Sequence, residues 1–309
     1  MKAIAQAPSK VIITGEHFVV HGSWALAAAI GKKVTVEVEA SDRLSVNSGL
    51  FGGSSRSALR PVSEVVESMA RRFSFNRDLR VSISSEVPGG AGLGSSASTM
   101  VAVAAAVSKL QSLELGTKEL VECAMVGEEE VHGRPSGIDV AVCAHGGVVL
   151  FRPGSVPRRV RLDGRRRVLV VLSGSSRSTK RLIGHVADVK GSLPAYFAGL
   201  AESAGDIALL AADRLERGDM KGLGKLLTYN HAVLSAVGVS TPGLDQLVDL
   251  LLSLGCYGAK LTGAGGGGSV LAVAGDGKEK RIISEVSKRG FEAFVCVIPV
   301  EGVKSWLRP

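Results

Sequence analysis

Pro88-Gly89-Gly90-Ala91-Gly92-Leu93-Gly94-Ser95-Ser96 is the stretch on which the reading of this 309-residue chain turns. Ahead of it, Val81 and Ile83 alternate with Arg80, Ser82 and Ser84 as on a half-exposed strand. Behind it, residues 96–110 are small and apolar all round, as in a buried helix. A strand, a glycine loop and a helix in that order aim several backbone N–H groups and a helix N-terminus at one point, which suits an anion such as phosphate. Two hydroxyls at the helix start, Ser95 and Ser96, are more than a flexible linker requires. No G-x-x-x-x-G-K-[ST] occurs anywhere in the chain, which excludes a P-loop.

Outward from this loop, a second glycine cluster, Gly263-Ala264-Gly265-Gly266-Gly267-Gly268, formally contains G-x-G-x-x-G. A dinucleotide fingerprint follows a strand and opens a helix, whereas these glycines precede the β-branched run that starts at Ser269, so the cluster reads as a place of close backbone approach. A third constellation runs Gly127-Glu128-Glu129-Glu130-Val131-His132-Gly133-Arg134-Pro135-Ser136-Gly137-Ile138-Asp139. Glu128, Glu129 and Glu130 alone would be a solvated helix face. Asp139 follows a Pro-Ser-Gly turn between apolar Ile138 and Val140, which predicts a partly buried carboxylate in need of a partner. Near the start, Lys10 is expected in a loop with Pro8 and Ser9, and Glu16 and His17 on a short loop after Gly15.

Composition bounds the rest. At roughly 150 residues per domain the length suggests about two domains, and 45% apolar residues with a mean hydropathy of +0.25 can build a core in each. The longest apolar run, residues 100–107, is too short to span a membrane, and no signal peptide is read at the N-terminus, so a cytoplasmic, membrane-free protein is expected. Cys123, Cys143, Cys256 and Cys296 form no C-x-x-C pair, which argues against a disulfide framework or a cysteine zinc site. The net charge of +8 favours anionic partners. Seven arginines lie between Arg152 and Arg167, but only Phe151 adjoins them, so a solvated basic strand is expected there and no nucleic acid partner.

The coarse pattern is mixed. Residues 34–39 and 80–84 read as strands, residues 118–131 as a helix with Thr117 as N-cap, and residues 168–172 as a buried strand. Helices are expected from Thr179 to about Gly255, broken near Pro194, Gly218 and Gly238, with Thr241-Pro242 starting the last of them. The end reads strand (269–274), helix (279–288), strand (291–300). This predicts an α+β protein of two domains, 1–163 and 164–309.

In this order the segments resemble the GHMP kinase superfamily. The first motif resembles residues 7–22, from Ala7-Pro8-Ser9-Lys10 to Gly22, the second Pro88 through Ser98, and the third Lys260-Leu261-Thr262-Gly263 through Ser269. The stretch from Gly127 to Asp139 is similar to the mevalonate kinase family within it. The resemblance implies an N-terminal domain with a left-handed βαβ crossover and a ferredoxin-like C-terminal domain. It implies ATP as co-substrate, its phosphates lying along Pro88, Gly89, Gly90, Ala91, Gly92, Leu93, Gly94, Ser95 and Ser96. It also implies Mg²⁺ held by Ser96 and by Glu128, with Asp139 as the base and Lys10 beside it. Glu16, His17, Ser136 and Thr179 would hold mevalonate, whose C5 hydroxyl would be phosphorylated in isoprenoid biosynthesis. A homodimer is compatible with the resemblance. Phosphomevalonate, homoserine or a sugar as acceptor, or a mevalonate diphosphate decarboxylase-type lyase, are the alternatives.

Overall fold

The computed structural model describes residues 1–48, 56–133, 135–175 and 179–309. Its first sheet is organised around two long strands, β1 (Lys2–Thr14) and β2 (Ala25–Ala40), which pair antiparallel along most of their length. The short strand β3 (Ser45–Ser48) leads into helix α1 (Arg56–Phe73), and β4 (Leu79–Ser85) returns parallel to β3 and antiparallel to β2. This β3–α1–β4 unit supplies the sheet's parallel pair. On β2 the alternation of Val34, Val36 and Val38 holds as expected: all three are fully buried, while Thr35, Glu37 and Glu39 face the other way.

Helix α2 (Ser95–Leu110) follows the first glycine loop and buries twelve of its residues, from Ala97 to Ser108, between the sheet and its neighbours α1 and α3 (Thr117–His132). Alanines and valines on every side let these elements close upon it, each buried valine contributing roughly 1.5–3 kcal/mol. The N-cap of α3 is Gly116 and not Thr117, because the Glu119 carboxylate reaches back to the Gly116 N–H at 2.9 Å. Helix α4 (Ile138–His145) leads into the strands β5 (Val148–Phe151) and β6 (Arg158–Val160), and β5 pairs with the start of β2.

The second sheet begins with β7 (Arg166–Leu172). Four helices follow, α5 (Thr179–Ser192), α6 (Pro194–Glu216), α7 (Met220–Ala236) and α8 (Pro242–Ser253), with breaks at the expected Pro194, Gly218 and Gly238. Thr241 caps α8 as expected, its hydroxyl accepting from the Leu244 N–H at 3.3 Å. Then come β8 (Cys256–Thr262), β9 (Ser269–Ala274), α9 (Glu279–Ser287) and β10 (Glu292–Ile298). The antiparallel order β10-β7-β9-β8 is the fourth, first, third and second strand of this sheet, the ferredoxin-like arrangement. Last, β11 (Lys304–Arg308) crosses back to pair with β1. Among the described residues, no helix is long and apolar enough to cross a membrane.

The arginine run is largely occupied by its own protein. Arg158 pairs with Glu216, Arg167 with Glu279, Arg159 donates to the His145 carbonyl, and Arg152 lies over the Trp24 ring.

Candidate active site

One cleft of about 400 Å³ is lined by all three motifs. Its walls include Lys10 from β1, Glu16 and His17 from the turn after it, the loop from Gly90 to Ser96, Glu128 and His132 from α3, Ser136 and Asp139 around the start of α4, and the glycines after β8. Pro88 and Gly89 precede this wall as an exposed turn and do not line it. Thr179 opens α5, but its side chain, like Arg134, falls outside the described residues.

Local sequence explains the assembly. Helix α2 starts at Ser95, and its first residues, Ser95 to Ala97, line the cleft, where a helix start leaves N–H groups without intrahelical partners. Gly94 has φ +72° and lies beneath the Lys10 side chain: a Cβ there would stand 2.6 Å from Lys10 Cγ. The Lys10 N–H also donates to the Leu93 carbonyl at 3.0 Å, so strand and loop are stitched together. Lys10 therefore sits on β1 rather than in the expected loop. The apolar run continuing beyond Pro8 carries the strand, and Pro8 falls where the β1–β2 register shifts, between Pro8 and Ser9.

Lys10 Nζ stands 3.0 Å from Asp139 Oδ2, with Lys10 buried and Asp139 partly so, giving Asp139 the partner its apolar neighbours demanded. Its other oxygen, Oδ1, is buried and has no hydrogen-bond partner among the described residues. Across the cleft, the Ser96 hydroxyl donates to Glu128 Oε1 in a short contact, and His132 Nε2 is 3.7 Å from Glu128 Oε2. Glu128 is 2% exposed, so the solvated-face reading applies to Glu129 and Glu130 but not to it. Burial pushes its carboxyl above the usual range, with His132 and the Ser96 hydroxyl opposing.

His17 adopts a positive φ of 62° and its Nε2 donates to the Ala264 carbonyl at 2.8 Å; burial lowers its pKa, the hydrogen bond opposing. Ser136 Oγ accepts from the Ile138 N–H at 3.4 Å, at the start of α4. Glu16 is 1% exposed and both of its oxygens are engaged, Oε1 with Lys260 and Oε2 with the Asn230 amide at 3.2 Å. Sequence reasoning gave no role to Lys260 or Asn230. The signal was present for Lys260, a lone charge between Ala259 and Leu261, the same apolar flanking that singled out Asp139.

Backbone amides at a helix start, a hydroxyl beside a buried carboxylate, and a lysine–aspartate pair line one cleft, an arrangement suited to phosphoryl transfer to a small molecule. The family model for the GHMP kinases N terminal domain matches residues 60–147, and that for GHMP kinases C terminal matches residues 211–292. The fold is thus that of a two-domain GHMP kinase. A mevalonate kinase of Aeropyrum pernix is 36% identical over 98% of both chains. The solved L. major mevalonate kinase in complex with R-mevalonate superposes with a TM-score of 0.83 and 27% identity, over 96% of both chains. The Methanococcus jannaschii mevalonate kinase gives 0.82 and 27%, over 95% of this chain and 97% of that one. The chain belongs to the mevalonate kinase family.

Proposed function

We propose that this cleft transfers the γ-phosphoryl group of ATP to the C5 hydroxyl of mevalonate, giving 5-phosphomevalonate for isoprenoid biosynthesis. The observation that carries the reading is the Lys10–Asp139 pair, with Asp139 lining the same cleft as the first turn of α2. In this reading the ATP phosphates lie along Gly90 to Ser96 against free backbone N–H groups. Asp139 accepts the hydroxyl proton as the hydroxyl oxygen bonds to the γ-phosphorus, and the bond from that phosphorus to the bridging oxygen breaks to release ADP. Lys10 lies where it can neutralise charge on the equatorial oxygens while holding Asp139 in place. His17 and Ser136 line the acceptor side, and Glu16 supports it from beneath.

The donor set fits Mg²⁺. Ser96 and Glu128 offer hard oxygen ligands within contact of each other, and no cluster of three His, Cys, Asp or Glu occurs among the described residues. That matches a cation held by one or two protein groups together with substrate phosphates. When bound there, Mg²⁺ supplies charge neutralisation on the triphosphate. The two-domain division at 163/164 remains our proposal, with β11 returning to the first sheet.

An ADP-release assay of the purified protein with Mg-ATP and a panel of acceptors tests the reading. Mevalonate should exceed phosphomevalonate, homoserine and galactose by orders of magnitude, with no CO₂ evolved. Turnover of another acceptor in its place would overturn the assignment.

A further inference from the structure

Besides the groups given roles above, the cleft floor contains a buried charge cluster. Lys260 is fully buried, as is its partner Glu16 apart from 1% of its surface. Asn230 closes the cluster: its amide donates to Glu16 Oε2 at 3.2 Å and its Oδ1 accepts from the Gly15 N–H at 3.4 Å. Lys260 Nζ donates to the Ile12 carbonyl at 3.2 Å, and Thr262 Oγ1 donates to the same carbonyl at 2.9 Å. Every one of these bonds joins residues 12–16, on and just after β1, to α7 or β8. They tie the first sheet to the second.

This seam lies immediately before the second glycine loop, and that loop touches the first. A Cβ on Gly92, whose φ is +75°, would stand 2.9 Å from the Thr262 carbonyl oxygen, and the Ser269 hydroxyl donates to the Ala91 carbonyl at 2.6 Å. Where β8 ends therefore decides how closely the two loops approach across the cleft. A buried ion pair is a poor source of stability, since apolar replacements of similar volume are often neutral or better. What directional charged hydrogen bonds supply is register. Phosphoryl transfer needs that register, because a misplacement of about 1 Å can cost about 10²-fold in rate.

We infer that Glu16, Lys260 and Asn230 are positioning residues, which lock β8 to the end of β1 and so hold the second glycine loop at the spacing that aligns acceptor and γ-phosphate. The inference rests on the phosphoryl-transfer reading above. It also revises how Glu16 serves the acceptor side: through Lys260 and the backbone, its own oxygens being occupied.

The test is the double variant Glu16→Gln/Lys260→Met, which keeps volume and removes both charges, measured beside each single variant. Breaking one half of the pair leaves a buried charge alone, so Lys260→Met should lower Tm by on the order of ten degrees. The double variant should regain most of that Tm yet keep a kcat about 10- to 100-fold below wild type, with KM for ATP within about threefold because neither substitution touches the first turn of α2. Hydrogen exchange should rise at residues 261–268 and 89–94 and not in α2 or α8. If turnover recovers together with Tm and exchange is unchanged, the cluster is only structural and the inference falls. Should the double variant prove too unstable, Thr262→Val removes a single seam bond at nearly constant volume. A kcat fall of about threefold with the same exchange signature supports the inference, and wild-type turnover and exchange overturn it. Exchange is read without an acceptor, so a wild-type protein inactive on mevalonate would refute the functional reading while leaving the seam to be judged on its own.

Discussion

Replacing Asp139 by Asn preserves shape and removes the charge that faces both Lys10 and the acceptor hydroxyl. Two unit charges 3.0 Å apart interact by about 5–6 kcal/mol at an effective dielectric of about 20, a gross figure that desolvation of Lys10 and the partial exposure of Asp139 cut substantially. Loss of the pair should therefore cost about 1–3 kcal/mol of stability, seen as a fall in Tm of several degrees. Turnover should suffer far more. A positioned general base contributes about 10²- to 10⁴-fold, and poorer alignment of the hydroxyl adds to that. Calorimetric ATP binding should change little, because the first turn of α2 lies outside the substitution. Lys10→Ala should also lower kcat, and the double variant should be less than additive, since the two side chains act as one unit. An Asp139→Asn enzyme with near-normal kcat on mevalonate would refute the assignment of the base.

Glu128→Gln keeps a neutral oxygen beside Ser96 but removes the negative charge, so the Mg²⁺ concentration for half-maximal turnover should rise at least tenfold; an unchanged titration would separate Glu128 from the metal. Acid should weaken the fold through its histidines. His17 and His231 both bind protons less readily than the ordinary value of 6.5, burial being the main cause, so the stability they contribute is present above about pH 6.5 and drains as pH falls towards their folded values. Glu128, raised by burial, acts in the opposite sense, its contribution being present below about pH 4.5 and lost as pH rises through its folded value. His231 accepts from the Leu261 N–H at Nδ1 and faces Asp245 through Nε2, and His231→Gln keeps an acceptor without the titration. Its Tm profile between pH 7.5 and 5.5 should be flatter than wild type; parallel profiles would exclude His231 as a contributor.

Local pattern made much of the fold legible. The all-apolar run after the first glycine loop could only be a buried helix, and Pro194, Gly218, Gly238 and Thr241-Pro242 punctuated the later helices where the chain bends. What escaped was long-range. Nothing near residues 304–308 announces that they pair with β1 some three hundred positions earlier, because register between distant strands leaves no local trace. Pro8 and Ser9 look like a turn and suggest a loop at Lys10, whereas the β1–β2 pairing absorbs the proline at a register shift. Asp139 is legible because a charge between apolar neighbours demands a partner. Which partner it takes, and that Glu128 is buried while Glu129 and Glu130 are not, depends on how α3 and α4 pack beside α2.

The most direct test of the phosphoryl-transfer reading is a structure with a non-hydrolysable ATP analogue, Mg²⁺ and mevalonate bound together. The phosphates should lie against the backbone of Gly90 to Ser96, the cation between Ser96 and Glu128, and the C5 hydroxyl within hydrogen-bond distance of Asp139. Phosphates held only by the loop from Gly263 to Gly268, or a C5 hydroxyl turned away from Asp139, would contradict it.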